Sequence, residues 1–263
     1  MKKLGLALGA GGSRGVAHIG FLKALEEAEI PIACISGTSM GSVVGACYAA
    51  GISVEKMIGE VDKIKPSDLI DLSANPLKKL GLLKAVKMKE KLRELLGTIR
   101  ISEMKIPFCC TAVDILKGTP KVFAGDELAF ECVAASSSIP GIFRPTEIDG
   151  VMYVDGGLIS RLPIDECRAL GAEAVVTVDV LGEIREEKRL SNIFSVLFRT
   201  IDLYDGTATQ SKLKELKPDL YLAPDLGSMS QYRFEGMPEA IEAGYRLGKD
   251  NISVIRELCE ISG

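Results

Sequence analysis

Short, uninterrupted apolar runs alternate along this chain with stretches of helical periodicity, the pattern of a largely parallel sheet with helices on both faces. Leu4-Gly5-Leu6-Ala7-Leu8 reads as the first strand; it enters a glycine-rich turn and then an amphipathic helix running through Leu25. Ile32-Ala33-Cys34-Ile35 predicts a second strand, and Ser42 to Ala50, rich in small residues, a second helix. Val54 to Ile64 and Lys84 to Leu96 read as helices, with a Pro- and Leu-bearing connection near Pro76. Phe108 to Ile115 and Lys121 to Phe123 predict a strand pair joined by a turn at Lys117-Gly118-Thr119-Pro120. Asp126 to Ser137 predicts a helix with Asp126 as N-cap. Ala174 to Val180, bearing Asp179, and Leu220 to Leu222 are further strands, and Pro238 to Leu258 is a long closing helix. No internal repeat or low-complexity segment interrupts the series. The expectation is an α/β fold, three layers α/β/α around a mainly parallel central sheet, forming one domain over residues 1–263.

Between the second strand and its helix lies Gly37-Thr38-Ser39-Met40-Gly41. In a Gly-x-Ser-x-Gly elbow the chain turns sharply from strand to helix, exposing the central side chain while the glycines remove side chains that would collide. Ser39 is therefore a candidate nucleophile; the competing reading makes it an ordinary helix N-cap. Two other segments bear on the choice. The turn Gly9-Ala10-Gly11-Gly12-Ser13-Arg14-Gly15 presents backbone N–H groups at a helix N-terminus, where an oxyanion or a phosphate is favoured. A dinucleotide site is its rival, but the spacing is G-x-G-x-x-x-G, and the second strand leads to the elbow where a ribose-binding acid is expected. The run Val151-Met152-Tyr153-Val154-Asp155 ends in a carboxylate followed by Gly156 and Gly157, either a base or a plain Asp-Gly turn.

The single histidine narrows the mechanism. His18 sits three residues past Gly15, poorly placed to lean over Ser39 as the imidazole of a Ser-His-Asp triad does, and is expected to pack at the helix–sheet junction or hydrogen-bond the loop. A serine nucleophile here needs a carboxylate as base, and Asp155 leads. Aspartate starts at a pKa of about 3.9 against about 6.5 for imidazole, a deficit on the order of 3.5 kcal/mol in proton affinity. Burial raises a carboxylate's pKa. A well-placed oxyanion donor contributes about 2.7 to 4 kcal/mol, so a Ser-Asp dyad is energetically reasonable.

These segments resemble the bacterial patatin-like phospholipases, lipid acyl hydrolases with a Ser-Asp dyad. Leu6 to Gly20 is similar to the family's oxyanion segment, Gly37 to Gly41 to its nucleophile segment, Ala135 to Phe143 to its Ser-rich block, and Asp155-Gly156-Gly157 to its Asp-Gly-Gly box. The four blocks occur in family order within about residues 4–180. The resemblance implies a patatin-like fold, Ser39 as acylated nucleophile, Asp155 as general base and the amides of Gly11 and Gly12 as oxyanion donors. Gly37, Gly41, Gly156 and Gly157 support the turns, and Arg14 occupies a basic position that steadies the loop or meets a lipid phosphate. Ala10 departs from the family's glycine run. Residues 181–263 carry no family motif and are expected to complete the domain and shape acyl-chain selection. The implied reaction is cleavage of a lipid carboxylic ester (phospholipid, lysophospholipid or acylglycerol) with no cofactor or metal; a non-catalytic lipid- or nucleotide-binding protein is the alternative.

Composition agrees. A net charge of −4, no Trp and 5% aromatic residues oppose a nucleic-acid surface. Seven cysteines, mostly in apolar stretches, with no Cys-x-x-Cys pair, read as buried free thiols rather than a zinc site. Gly9 interrupts the first apolar run too soon for a signal-peptide core, and no run reaches the ~18 residues of a membrane span, so a cytoplasmic location is expected. Leu69 to Leu83 and Leu190 to Tyr204 are candidate lids or transient membrane contacts. In the latter, Ile193, Val196, Leu197, Ile201 and Tyr204 share one face, for which core packing is the favoured reading. The basic cluster Lys84 to Lys91 reads as a solvated helix face, and uncharged, Leu-rich pocket walls are expected.

Overall fold

Strand β1 (Leu4–Leu8) is buried along its whole length because both faces of the sheet are covered. Leu4, Leu6 and Leu8 join the larger core, while Ala7 packs with Cys34, Leu162, Ile164, Cys167 and Val175 on the opposite face. This alternation is the strand's period of two read in packing. The computed structural model describes residues 1–64, 81–83, 85–184, 186, 190 and 193–260.

The sheet adds β2 (Cys34–Thr38), β4 (Phe108–Asp114), β5 (Thr119–Phe123), β7 (Thr146–Ile148), β8 (Val151–Asp155), β9 (Ala174–Val178) and β10 (Leu220–Leu222). Its order is β10-β9-β1-β2-β4-β8-β7, with β5 on the second edge of β4. The five strands from β10 to β4 are parallel, and β5 and β8 are antiparallel to β4. A separate pair joins β3 (Gly81–Leu83) to β6 (Gly141–Phe143). The helices are α1 (Ala17–Glu27), α2 (Met40–Ala49), α3 (Val54–Val61), α4 (Ala85–Leu96), α5 (Ala129–Ser136), α6 (Ile164–Ala169), α7 (Ile193–Leu216) and α8 (Met237–Glu260). Residues of α1, α2 and α8 join the larger core, and those of α6 with Leu213 and Leu216 of α7 cover the other face, giving three layers.

The register of β4 positions the site. Since β5 takes the other edge of β4 along Cys110–Asp114, β2 and β8 share one edge: β2 lies against Phe108–Thr111 and β8 against Ala112–Asp114. They run toward each other. Thr38, opposite Thr111, and Asp155, opposite Ala112, end two strands that meet head to head.

Several boundaries differ from the sequence reading. Strand β2 begins at Cys34 and runs through Gly37-Thr38, so the first two residues of the pentapeptide are strand. A 3-10 turn, Gly12–Val16, precedes α1. Asp126 does not cap α5, whose N-cap is Leu128. Leu128 bridges Arg100 and the Ala129 amide donates to Ile99, which holds the intervening residues out of the helix, and Asp126 instead accepts from Ser102. Asp179 lies past the end of β9 rather than in it. Most of the stretch Leu69 to Leu83 lies outside the described residues, as does Lys84. Lys89 and Lys91 pair with Glu131, Glu60 and Glu94 on a solvated face. The core-packing reading of the stripe on α7 is overturned: Ile193, Val196, Leu197 and Tyr204 are exposed. Among the described residues no helix is long and apolar enough to cross a membrane, and all seven cysteines are free and buried.

Candidate active site

Ser39 is the residue between β2 and α2, with φ 56° and ψ −127°. A non-glycine residue there carries strain of about 1–3 kcal/mol, tolerated only where the surroundings over-determine it. They do. The Ser39 amide donates to Ser136 Oγ at 2.9 Å, and its carbonyl accepts from Ser42 Oγ at 2.6 Å and from the Ser42 and Val43 amides in the first turn of α2. Gly41 lies so close to β1 that a Cβ would come within 2.2 Å of the Leu8 carbonyl oxygen, and one on Gly37 within 2.5 Å of Ser42 Cα. Although Ser39 stands at the N-cap position, its side chain makes no capping bond. Its hydroxyl donates to Asp155 Oδ2 at 2.5 Å across 116 residues of sequence.

Asp155 ends β8 and is buried at the floor of the cleft. Its amide donates to the Ser138 carbonyl, and its Oδ1 accepts from the Gly157 amide at 2.8 Å. Burial pushes its pKa from 3.8 up to about 6; the bonds from Ser39 and Gly157 oppose the rise and the charge of Asp205 adds to it. The carboxylate is thereby a stronger base than a solvated one. Gly156 is pressed against Thr111, where a Cβ would lie 2.4 Å from Oγ1, and that hydroxyl is shared with Thr38 at 2.8 Å.

The glycine turn faces the same cleft. The Gly9 amide donates to Val178, Ala10 to Arg161 at 2.9 Å, Ser13 to Gln231 and Arg14 to Gly11. The amides of Gly11 and Gly12 take no protein acceptor among the described residues, so two adjacent donors remain available. Gly12 has φ +52°, and a Cβ on it would lie 2.2 Å from the Gln231 carbonyl oxygen. Arg14 donates Nε–H to the Met229 carbonyl at 2.7 Å and reaches Leu181, contacts that steady the turn. His18 is buried; its Nε2 lies 2.9 Å from the Gly9 carbonyl and so carries the proton. Burial lowers its pKa to about 4, against the Gly9 bond and the charge of Asp179, and it does not line the cleft.

The cleft encloses about 540 Å³, counting space open to solvent. Ile139, Pro140, Leu158, Leu181, Phe198 and Ile201 make apolar walls, but Arg161, Asp202, Asp205, Gln231 and Tyr232 also line it. The expectation of uncharged walls is therefore corrected. The two acids of α7 that line the cleft have partners there: Asp205 pairs with Arg161 at 2.9 Å, and Asp202 accepts from Gln231 Nε2 at 2.8 Å and Tyr232 Oη at 2.7 Å. Among the described residues no three His, Cys, Asp or Glu side chains converge as a metal site.

Sequence reasoning missed Ser136, Arg161, Asp202 and Asp205. Ser136 lay in a block whose role was not legible, and the others act through partners tens of residues away, which no local pattern announces.

Residues 6–168, more than half of the chain, match the family model described as patatin-like phospholipase. An uncharacterized NTE family protein of Mycobacterium bovis is 33% identical over 180 residues, covering 68% of this chain and 49% of the relative. Lysophospholipase nte1 of Aspergillus fumigatus is 28% identical over 285 residues, covering 97% of this chain and 18% of the fungal protein. The chain thus spans about half the length of the first and under a fifth of the second. In fold it is similar to VipD from Legionella pneumophila, with a TM-score of 0.64 at 12% identity over 98% of this chain and 67% of that one. On the family-model match, the chain belongs to the patatin-like phospholipase family.

Proposed function

We propose that this protein is a serine acyl hydrolase that cleaves carboxylic esters of lipids through an acyl-enzyme. The observation that carries the reading is the 2.5 Å contact between the Ser39 hydroxyl and Asp155, beside two turn amides that donate to no other group among the described residues, in a partly apolar cleft. Ser39 Oγ attacks the ester carbonyl carbon while Asp155 Oδ2 takes its proton. The amides of Gly11 and Gly12 receive the negative charge that develops on the carbonyl oxygen, and stabilising that charge usually lowers an acyl-transfer barrier more than any other single effect. Collapse breaks the carbon–oxygen bond to the alcohol, which leaves with the proton from Asp155. Water then attacks the acyl-Ser39 ester, Asp155 again taking the proton, and the carboxylic acid departs as Ser39 is restored.

Residues 1–263 act in this mechanism as one α/β unit, a division supported by the cleft drawing Phe198, Asp205 and Tyr232 from beyond the matched segment. The fungal relatives named lysophospholipases support a phospholipid or lysophospholipid ester among the candidates. In the test, a fluorophosphonate probe and a panel of lipid esters are applied to the protein and to a folded S39A variant, with products identified by mass spectrometry. Labelling at Ser39 and fatty-acid release, both lost in S39A, is the expected result. Turnover retained in folded S39A, or labelling at another serine, sinks the mechanism.

A further inference from the structure

Arg161, four residues past Gly157, is 5% exposed at the edge of the cleft. Its guanidinium donates to Asp179 Oδ2 at 2.7 Å, just past β9, and by its other terminal nitrogen to Asp205 Oδ2 at 2.9 Å on α7, with the Gly182 carbonyl at 2.9 Å as a further acceptor. Its own carbonyl accepts the Ala10 amide at 2.9 Å, immediately before the Gly11-Gly12 turn. Asp179 is fixed in turn by the amides of Leu181 and Gly182 at 3.1 Å each, and by Tyr221 Oη of β10 at 2.8 Å. One residue therefore joins the end of the sheet, the helix that walls the cleft and, through the main chain, the turn that faces Ser39. On the inner side of α7, Phe198 and Ile201 wall the cleft and Leu213 and Leu216 pack on the sheet face, and between them the Arg161–Asp205 pair adds a directional polar contact.

We propose that Arg161 and Asp205 are positioning residues for the reaction: their ion pair, backed by Asp179, seats α7 over Ser39 and Asp155 and fixes the glycine turn whose amides receive the oxyanion. The proposal rests on the dyad reading above. A buried ion pair contributes little net stability compared with well-packed apolar side chains, whereas a two-pronged guanidinium holds its partners in one geometry. Asp205 also sets a second negative charge near Asp155, and like charge favours the protonated carboxyl; it acts with burial in raising Asp155. The groups that face Asp205 are Arg161 with Asp179 behind it, Asp155 from β8, Tyr232 from the neighbouring loop, and Asp202 and Thr209 on its own helix. Burial and the charge of Asp202 hold Tyr232 neutral, so neutralising Asp205 changes a single charge facing Asp155 from α7.

An R161M variant leaves Asp179 buried without its cation and is expected to fold poorly, so the experiment uses R161K, D205N and D205E in the full chain. Wild-type protein labels at Ser39, and its kcat/KM falls below about pH 6 as Asp155 takes a proton. Asparagine at 205 keeps an acceptor for Arg161 but no charge, so the acid limb moves to lower pH, and D205E returns it. R161K keeps the charge but loses the fork; kcat drops about tenfold to a hundredfold, with KM within about twofold. A D205N acid limb superposed on the wild type, or unchanged kcat in folded R161K, overturns the proposal and leaves the dyad standing. Wild-type protein with neither Ser39 labelling nor an acid limb overturns the dyad reading, and the proposal with it.

Discussion

Replacing Asp155 with asparagine should abolish hydrolysis and, at neutral pH, stabilise the folded protein. Burial raises this carboxyl from 3.8 to about 6, Asp205 adding and the bonds from Ser39 and Gly157 opposing, whereas in the unfolded chain it titrates near 3.9. Between about pH 4 and 6 the folded protein holds a proton that the unfolded chain has released, so stability falls as pH rises through that window. Above it the loss is complete. About two pH units at about 1.4 kcal/mol each amount to about 3 kcal/mol. Asparagine has the same shape, keeps an acceptor for the Gly157 amide and carries no charge. The variant should therefore be more stable than wild type by about 1–3 kcal/mol at about pH 7.5, and the advantage should disappear near pH 4. Urea or thermal unfolding of both proteins across that range, with ester turnover measured in parallel, gives the comparison. A stability difference that does not change with pH, or a D155N protein less stable than wild type at neutral pH, would refute the idea that the fold carries an ionised base at its own expense.

Three further substitutions test other parts of the site. G12A forces a side chain into a backbone of φ +52° and to 2.2 Å from the Gln231 carbonyl oxygen; steady-state kinetics should show kcat down by about a hundredfold or more in a protein that still folds by circular dichroism. S136A leaves the buried Ser39 amide without its acceptor, so unfolding titrations should show a loss of about 1–3 kcal/mol, accompanied by slower fluorophosphonate labelling. H18Q should keep kcat within about threefold, where loss of a general base removes about 10² to 10⁴; a larger fall would return His18 to the mechanism.

Local physics made much of this protein legible in its sequence. The apolar run Leu4–Leu8, the glycine turn after it and the elbow at Ser39 announce themselves because strand burial, backbone crowding and sharp turns act on neighbouring residues. The place of His18 in the helix predicts packing away from Ser39 with a bond to the loop, and the structure buries it against the Gly9 carbonyl outside the cleft. Less was legible where a residue answers to distant partners. Asp126 has the composition of a cap but is drawn away by Ser102 and Arg100. Helix α7 reads as an ordinary amphipathic helix, yet it turns Asp202 and Asp205 inward to Arg161, Gln231 and Tyr232 and leaves Ile193, Val196, Leu197 and Tyr204 of its apolar stripe exposed. The sequence by itself determined the strand–turn–helix modules and supplied the chemical groups, since those depend on contacts a few residues long. Only the tertiary structure decided that Ser39 and Asp155 meet, because their contact is set by the register of β2 and β8 on consecutive positions of β4, Thr111 and Ala112, which brings together two residues 116 apart in the sequence.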